Sequence, residues 1–145
     1  MPGPLTGLKI LDFTTLLPGP YATMTLADLG AEVLAVISGS RPDLAAILPP
    51  YVPGTTLSTA AATLGRGKRS LTLNLKDPRA ADVIDRLLNT HDILVEQFRP
   101  GVMAKLGLSW ETVSYTHLRA HETPEHLVCR LLLEKKKSHD RRALQ

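Results

Sequence analysis

Two sets of residues in this chain have the chemistry for a binding or catalytic site. One is the basic segment Gly65-Arg66-Gly67-Lys68-Arg69; the other is the pair of carboxylates Asp12 and Asp28. Lysine and arginine beside glycine suit phosphate groups, although a short charge cluster is also what a solvated loop carries. Asp12 and Asp28 would do acid–base work if folding joined them. The plainer alternative has Asp12 bonding local backbone and Asp28 on the polar side of a helix. Pro18-Gly19-Pro20 resembles a degenerate dinucleotide loop, but it lacks the G-x-G-x-x-G spacing. The second strand ends in Ile37-Ser38 with no acid for a ribose, which argues against a nicotinamide enzyme. His91 precedes a strand and reads as a surface residue without a role.

The charge divides the chain near Val113. Residues 1–113 hold 10 Lys+Arg against 10 Asp+Glu, whereas the last 32 residues hold 7 against 4 and carry the whole net charge of +3. The basic character therefore belongs to the tail. His117, His121 and His126 have partial metal-ligand spacing, but Pro124 interrupts the helix that would align the third. Lys135-Lys136-Lys137 with Arg141-Arg142 reads as a disordered basic end, not a nucleic-acid surface. One cysteine excludes an internal disulfide and a Cys-rich metal centre.

The elements that must position a site follow from periodicity. Leu8 to Phe13 is an apolar run that reads as a buried strand, and Thr14 to Pro20 is a loop. Pro20 suits the first turn of a helix beginning at Tyr21, and Gly30 stops that helix. Ala31 to Val36 is a second strand. Residues 37–67 form a long Pro-bearing connection with one helical turn at Leu44 to Leu48. Ser70 to Leu75 alternates with period two and reads as a third strand. Asp77-Pro78 opens a helix that runs to about Asn89, with Ala81, Ile84, Leu87 and Leu88 inward. Asp92 to Glu96 is a fourth strand, Val102 to Leu106 a short helix, and Ser109 caps another starting at Trp110. This order predicts an α/β fold: a Rossmann-like parallel sheet with helices on both faces. Ligands would then bind outside the carboxyl ends of the strands, at Thr14–Pro20, 37–41, Leu75–Asp77 and Gln97–Gly101. The 145 residues suffice for one core. The uncharged stretch Leu44 to Gly65 has too many prolines for a membrane helix, and no secretory signal is visible. A cytoplasmic location is expected.

Six segments together resemble the class III coenzyme A transferases. They are Pro4 to Phe13, Pro18 to Met24, Leu26 to Val33, Gly65 to Leu71, Leu73 to Pro78 and Val95 to Val102. The resemblance implies that residues 1–113 are the N-terminal part of a larger, here incomplete, coenzyme A transferase domain. It implies contacts to coenzyme A from Leu17 and Pro18, from Leu73, Asn74, Leu75 and Lys76, and from Gln97, Phe98 and Arg99. Lys105 stands where the family often has a phosphate-binding arginine. Ala35, Ile37 and Ser38 depart from the charged residues that relatives often carry there, which weakens the contact implied after the second strand unless Arg41 reaches in to replace it.

The implied function is transfer of coenzyme A between carboxylic acids, with acyl-CoA and a carboxylic acid as substrates and no tightly bound cofactor or metal. An aspartate would attack the thioester and pass through an aspartyl-CoA intermediate. The alternative within the family is an α-methylacyl-CoA racemase; an alternative of another class is a non-catalytic coenzyme A or nucleotide-binding fragment. In both enzyme branches the catalytic residues lie beyond Val113, so none is assigned, and the chain itself is expected to be inactive. An interlocked homodimer is implied for the full-length parent, with neither nucleic acid nor membrane as partner. Residues 114–145 resemble translated sequencing-adapter sequence and read as a non-native or disordered tail.

Overall fold

The computed structural model describes residues 2–40 and 42–108, together with the strand Arg130–Leu133. Four strands, β1 (Lys9–Asp12), β2 (Glu32–Ile37), β3 (Lys68–Thr72) and β4 (Ile93–Glu96), pair in parallel in the order β3-β2-β1-β4. β5 (Arg130–Leu133) closes the far edge, antiparallel to β4. The sheet expected to be parallel is thus mixed at one edge. The helices are α1 (Pro18–Asp28), α2 (Leu44–Ile47), α3 (Thr59–Leu64), α4 (Arg79–Leu88) and α5 (Val102–Lys105).

Alternation along the central strands builds two cores. Ile10, Val33, Ile93 and Val95 face one way and meet Leu26 and Ala27 of α1. Leu11, Val36 and Leu94 face the other way, with Phe13 just past β1, and meet Ile84 and Leu88 of α4. A strand buried on both faces must be apolar at nearly every position, which is why these segments read as continuous hydrophobic runs. Helices cover both faces, as predicted.

Several boundaries move. α1 begins at Pro18, not Tyr21, because two prolines with fixed φ nucleate its first turn. Gly30, at φ 101°, ends it as expected. β3 starts two residues early and ends at Thr72, since its register is set by β2, from Val33 opposite Lys68 to Ile37 opposite Thr72. Asn74 then turns the chain: its side chain accepts from the Lys76 amide at 3.2 Å and its carbonyl from the Asp77 amide at 3.0 Å. Leu73 and Leu75, expected in the strand, instead pack beyond its end against the α4-side core. α4 buries Ala80 rather than Ala81, together with Ile84 and Leu88. The connection 37–67 carries α3 as well as the expected turn at α2, where Asp43 accepts the Ala45 amide as N-cap at 3.0 Å. The expectations for Arg41, for Ser109-Trp110, for the division at Val113, for the three tail histidines and for the basic run at 135–142 lie outside the described residues.

Candidate functional site

The strand order reverses between β1 and β4, and a crevice at the carboxyl ends of such strands is where an open α/β sheet takes its ligand. The β1–α1 loop, residues 13–17, lies there and is held from three directions. From below, Asp12 Oδ1 accepts the Thr14 amide at 2.9 Å and the Thr14 hydroxyl. From the β4 side, Gln97 Nε2 donates to the Thr15 carbonyl at 2.7 Å and to the Thr15 hydroxyl at 2.9 Å. From the β2 side, Asp43 Oδ2 accepts the Leu16 amide at 2.9 Å. Leu16 sits at φ 66°, a left-handed conformation costly for a branched side chain. Those bonds are what holds it there.

The start of α1 is poor in amide donors. Pro18 and Pro20 remove two of the N–H groups that a helix N-terminus leaves unsatisfied. Gly19 packs so closely on Thr14 that a Cβ there would lie 2.3 Å from the Thr14 Cβ. Negative charge in the crevice therefore has to be met by side chains.

The cations fall into two groups. Lys68, read as part of a solvated loop, is instead in β3 with a side chain only 5% exposed. Its Nζ donates to Asp12 Oδ2 at 3.2 Å, to the Pro20 carbonyl at 2.9 Å and to Thr23 Oγ1 at 2.6 Å. Arg66 forms a two-pronged pair with Asp28, which holds the Asp28 carboxyl below its ordinary value through that side-chain hydrogen bond and raises the Arg66 guanidinium. Arg69 pairs with Glu32, and Arg79 with Asp77. Among the described residues no ion pair involves Lys76, Arg99 or Lys105, all exposed and all at the carboxyl edge. Lys9 and Arg86 likewise form no ion pair among the described residues, but sit at the opposite edge.

Asp12 and Asp28 are not an acid–base pair: each has its own cation. Asp12 does bond local backbone as expected, and its second oxygen does more. The signal for that was an aspartate inside an apolar strand, since a buried carboxylate needs a partner charge. Nothing local in the sequence names Lys68 or Thr23 as that partner, since they lie 56 and 11 positions away.

The residues singled out for coenzyme A converge on this edge. Leu17 is 62% exposed at the helix start, with Pro18 exposed beside it. Leu73, Leu75 and Phe98 are partly buried against one core cluster that also takes Met103 and Leu106, so the segments after β3 and β4 rest on the same core. Their side chains support the edge, leaving backbone and the exposed Asn74, Lys76, Arg99 and Lys105 to face solvent. Gln97 bridges this group to the β1–α1 loop through Thr15. Glu96, buried at the end of β4, accepts the Phe98 amide at 2.6 Å and fixes the turn that presents Arg99.

The profile of a family described as CoA-transferase family III matches residues 5–119. The chain belongs to CoA-transferase family III. It is 42% identical over 111 residues to the human succinyl-CoA:glutarate CoA-transferase, covering 76% of this chain and 25% of that one. It is 40% identical over 128 residues to the human alpha-methylacyl-CoA racemase, covering 88% of this chain and 28% of that one. The crystal structure of a CAIB/BAIF family protein from Brucella suis superposes with a TM-score of 0.72 at 31% identity, covering 79% of this chain and 31% of that one. The chain thus spans about a quarter of the length of the curated family members it matches. β5 lies beyond the residues matched by the family profile. Among the described residues no helix is long and apolar enough to cross a membrane.

Proposed function

We propose that this chain supplies part of the coenzyme A site of an acyl-CoA:carboxylate CoA-transferase. The observation that carries the reading is the carboxyl edge itself. There the β1–α1 loop, clamped by Gln97, shares the edge with Lys76, Arg99 and Lys105, which form no ion pair among the described residues, while Arg66, Lys68, Arg69 and Arg79 are all paired. Unpaired exposed cations suit the phosphates of coenzyme A, and the exposed Leu17 offers an apolar surface to the rest of the ligand. Leu17, Pro18, Leu73, Asn74, Leu75, Lys76, Gln97, Phe98, Arg99 and Lys105 are the proposed contacts. Gln97, whose amide nitrogen is already committed to Thr15, keeps only its carbonyl oxygen, so it accepts a hydrogen bond from the ligand and does not bind phosphate.

In this reading coenzyme A arrives as acyl-CoA and leaves with a carboxylic acid, and no tightly bound cofactor takes part. The nucleophilic aspartate comes from a segment past Val113, and the protein works in the cytoplasm as a homodimer. Asp12 is excluded as nucleophile, because both of its oxygens are engaged and it is buried. Residues 1–113 form the coenzyme A portion, and none of the proposed contacts lies in residues 114–145, whose strand β5 pairs with β4. The longer match to the racemase, 128 residues, keeps an α-methylacyl-CoA racemase as the second reading.

The test is calorimetric titration of the chain with coenzyme A, then assays of thioester transfer from succinyl-CoA to a dicarboxylate and of deuterium exchange next to the thioester of a 2-methylacyl-CoA. Binding without turnover is the expected result. Exchange without transfer would turn the reading to the racemase, and absence of binding would overturn it.

A further inference from the structure

We infer that the buried cluster of Lys68, Asp12 and Thr23 is a positioning device for the ligand-facing β1–α1 loop; the inference rests on the coenzyme A reading above. Lys68 comes from β3, which is separated from β1 by β2. Its three acceptors, Asp12 Oδ2, the Pro20 carbonyl and Thr23 Oγ1, all lie on the single segment β1–α1. An ammonium has three donors and no acceptor, so nothing remains for a ligand. Burial agrees: Asp12 is 2% exposed and Thr23 1%.

The cluster is also complete from the carboxylate side. Oδ1 of Asp12 takes the amide and hydroxyl of Thr14, while Oδ2 takes Thr23 and Lys68. One carboxylate therefore ties the second residue of the loop to the helix that follows it and to a distant strand. Close packing of Gly19 on Thr14 passes any shift of Thr14 to the first turn of α1. Apolar residues of similar volume could fill this space with equal or greater stability. What they would not supply is fixed donor and acceptor directions, and those set the backbone of Thr14 to Leu17.

The test compares variants of the full chain. Thr23→Val removes one member of the cluster and keeps its shape. Ile84→Val removes one methylene from the opposite core, on α4, and controls for lost stability. The readouts are melting temperature, coenzyme A affinity, and hydrogen exchange of the Thr14 and Leu16 amides. Thr23→Val is expected to weaken coenzyme A binding about tenfold and to speed exchange at both amides by a similar factor. Ile84→Val is expected to change neither, and Thr23→Ser, which keeps the hydroxyl, to restore both. Should Thr23→Val not fold, Asp12→Asn is read by the same measurements. Equal effects of Thr23→Val and Ile84→Val on loop exchange would overturn the inference. If the unaltered chain does not bind coenzyme A, the functional reading fails, while the exchange comparison still decides whether the cluster holds the loop.

Discussion

Gln97 is a proposed ligand contact, and its geometry gives it a second duty. Its amide nitrogen bonds both the carbonyl and the hydroxyl of Thr15. Gln97→Leu keeps the volume and loses both bonds, so coenzyme A affinity should fall by about 1–3 kcal/mol, read by titration calorimetry, with little change in the melting temperature. A different residue reports on pH. Asp77 is held down to about 2 from the ordinary 3.8, first by the hydrogen bond from the Arg79 side chain and then by the Arg79 amide. Because the folded value lies below the unfolded one, this pairing stabilises the fold above pH 4. The contribution is lost as pH falls from about 4 through 2. An NMR titration of the Asp77 carboxyl should show its midpoint returning toward 3.8 in Arg79→Gln. At this scale the sequence was half legible. The local bonds of Asp12 and Asp77 could be read from neighbours, whereas the Lys68 contact spans 56 positions and depends on β3 lying next to β2.

The elements were easier to read, because each follows a local period. β1, β2 and β4 fall within a residue or two of their apolar runs. β3 slipped because the alternation of Leu71, Leu73 and Leu75 continues past Asn74, where a side-chain bond bends the chain out of the ladder. α3 was missed because its short run of small residues has no strong apolar stripe. α4 does have one, and it carries much of the second core through Ile84 and Leu88. Ile84→Ala should destabilise the fold by about 2–5 kcal/mol in urea denaturation, the range for a large-to-small change at a buried site. Gly19→Ala should cost about 1–3 kcal/mol by overpacking α1 against Thr14, with the larger loss falling on ligand affinity.

For the whole molecule, four parallel strands carry α1 and α4 on opposite faces, over the two cores formed by the described residues. Deleting residues 120–145, which removes β5 and everything past the family match, should leave coenzyme A affinity unchanged in the titration. A large loss would make β5 a working part of the sheet. The first turn of α1, robbed of two amide donors by Pro18 and Pro20, has a consequence for how a charged ligand is caught. Lys76, Arg99 and Lys105 stand in water, where attraction reaches only about 10 Å at 0.1 M salt. Rising ionic strength should therefore slow arrival of a phosphate-bearing molecule far more than it hastens departure. In the proposed site, capture would then rest on a diffuse field at the rim, supplied by side chains and not by the helix start.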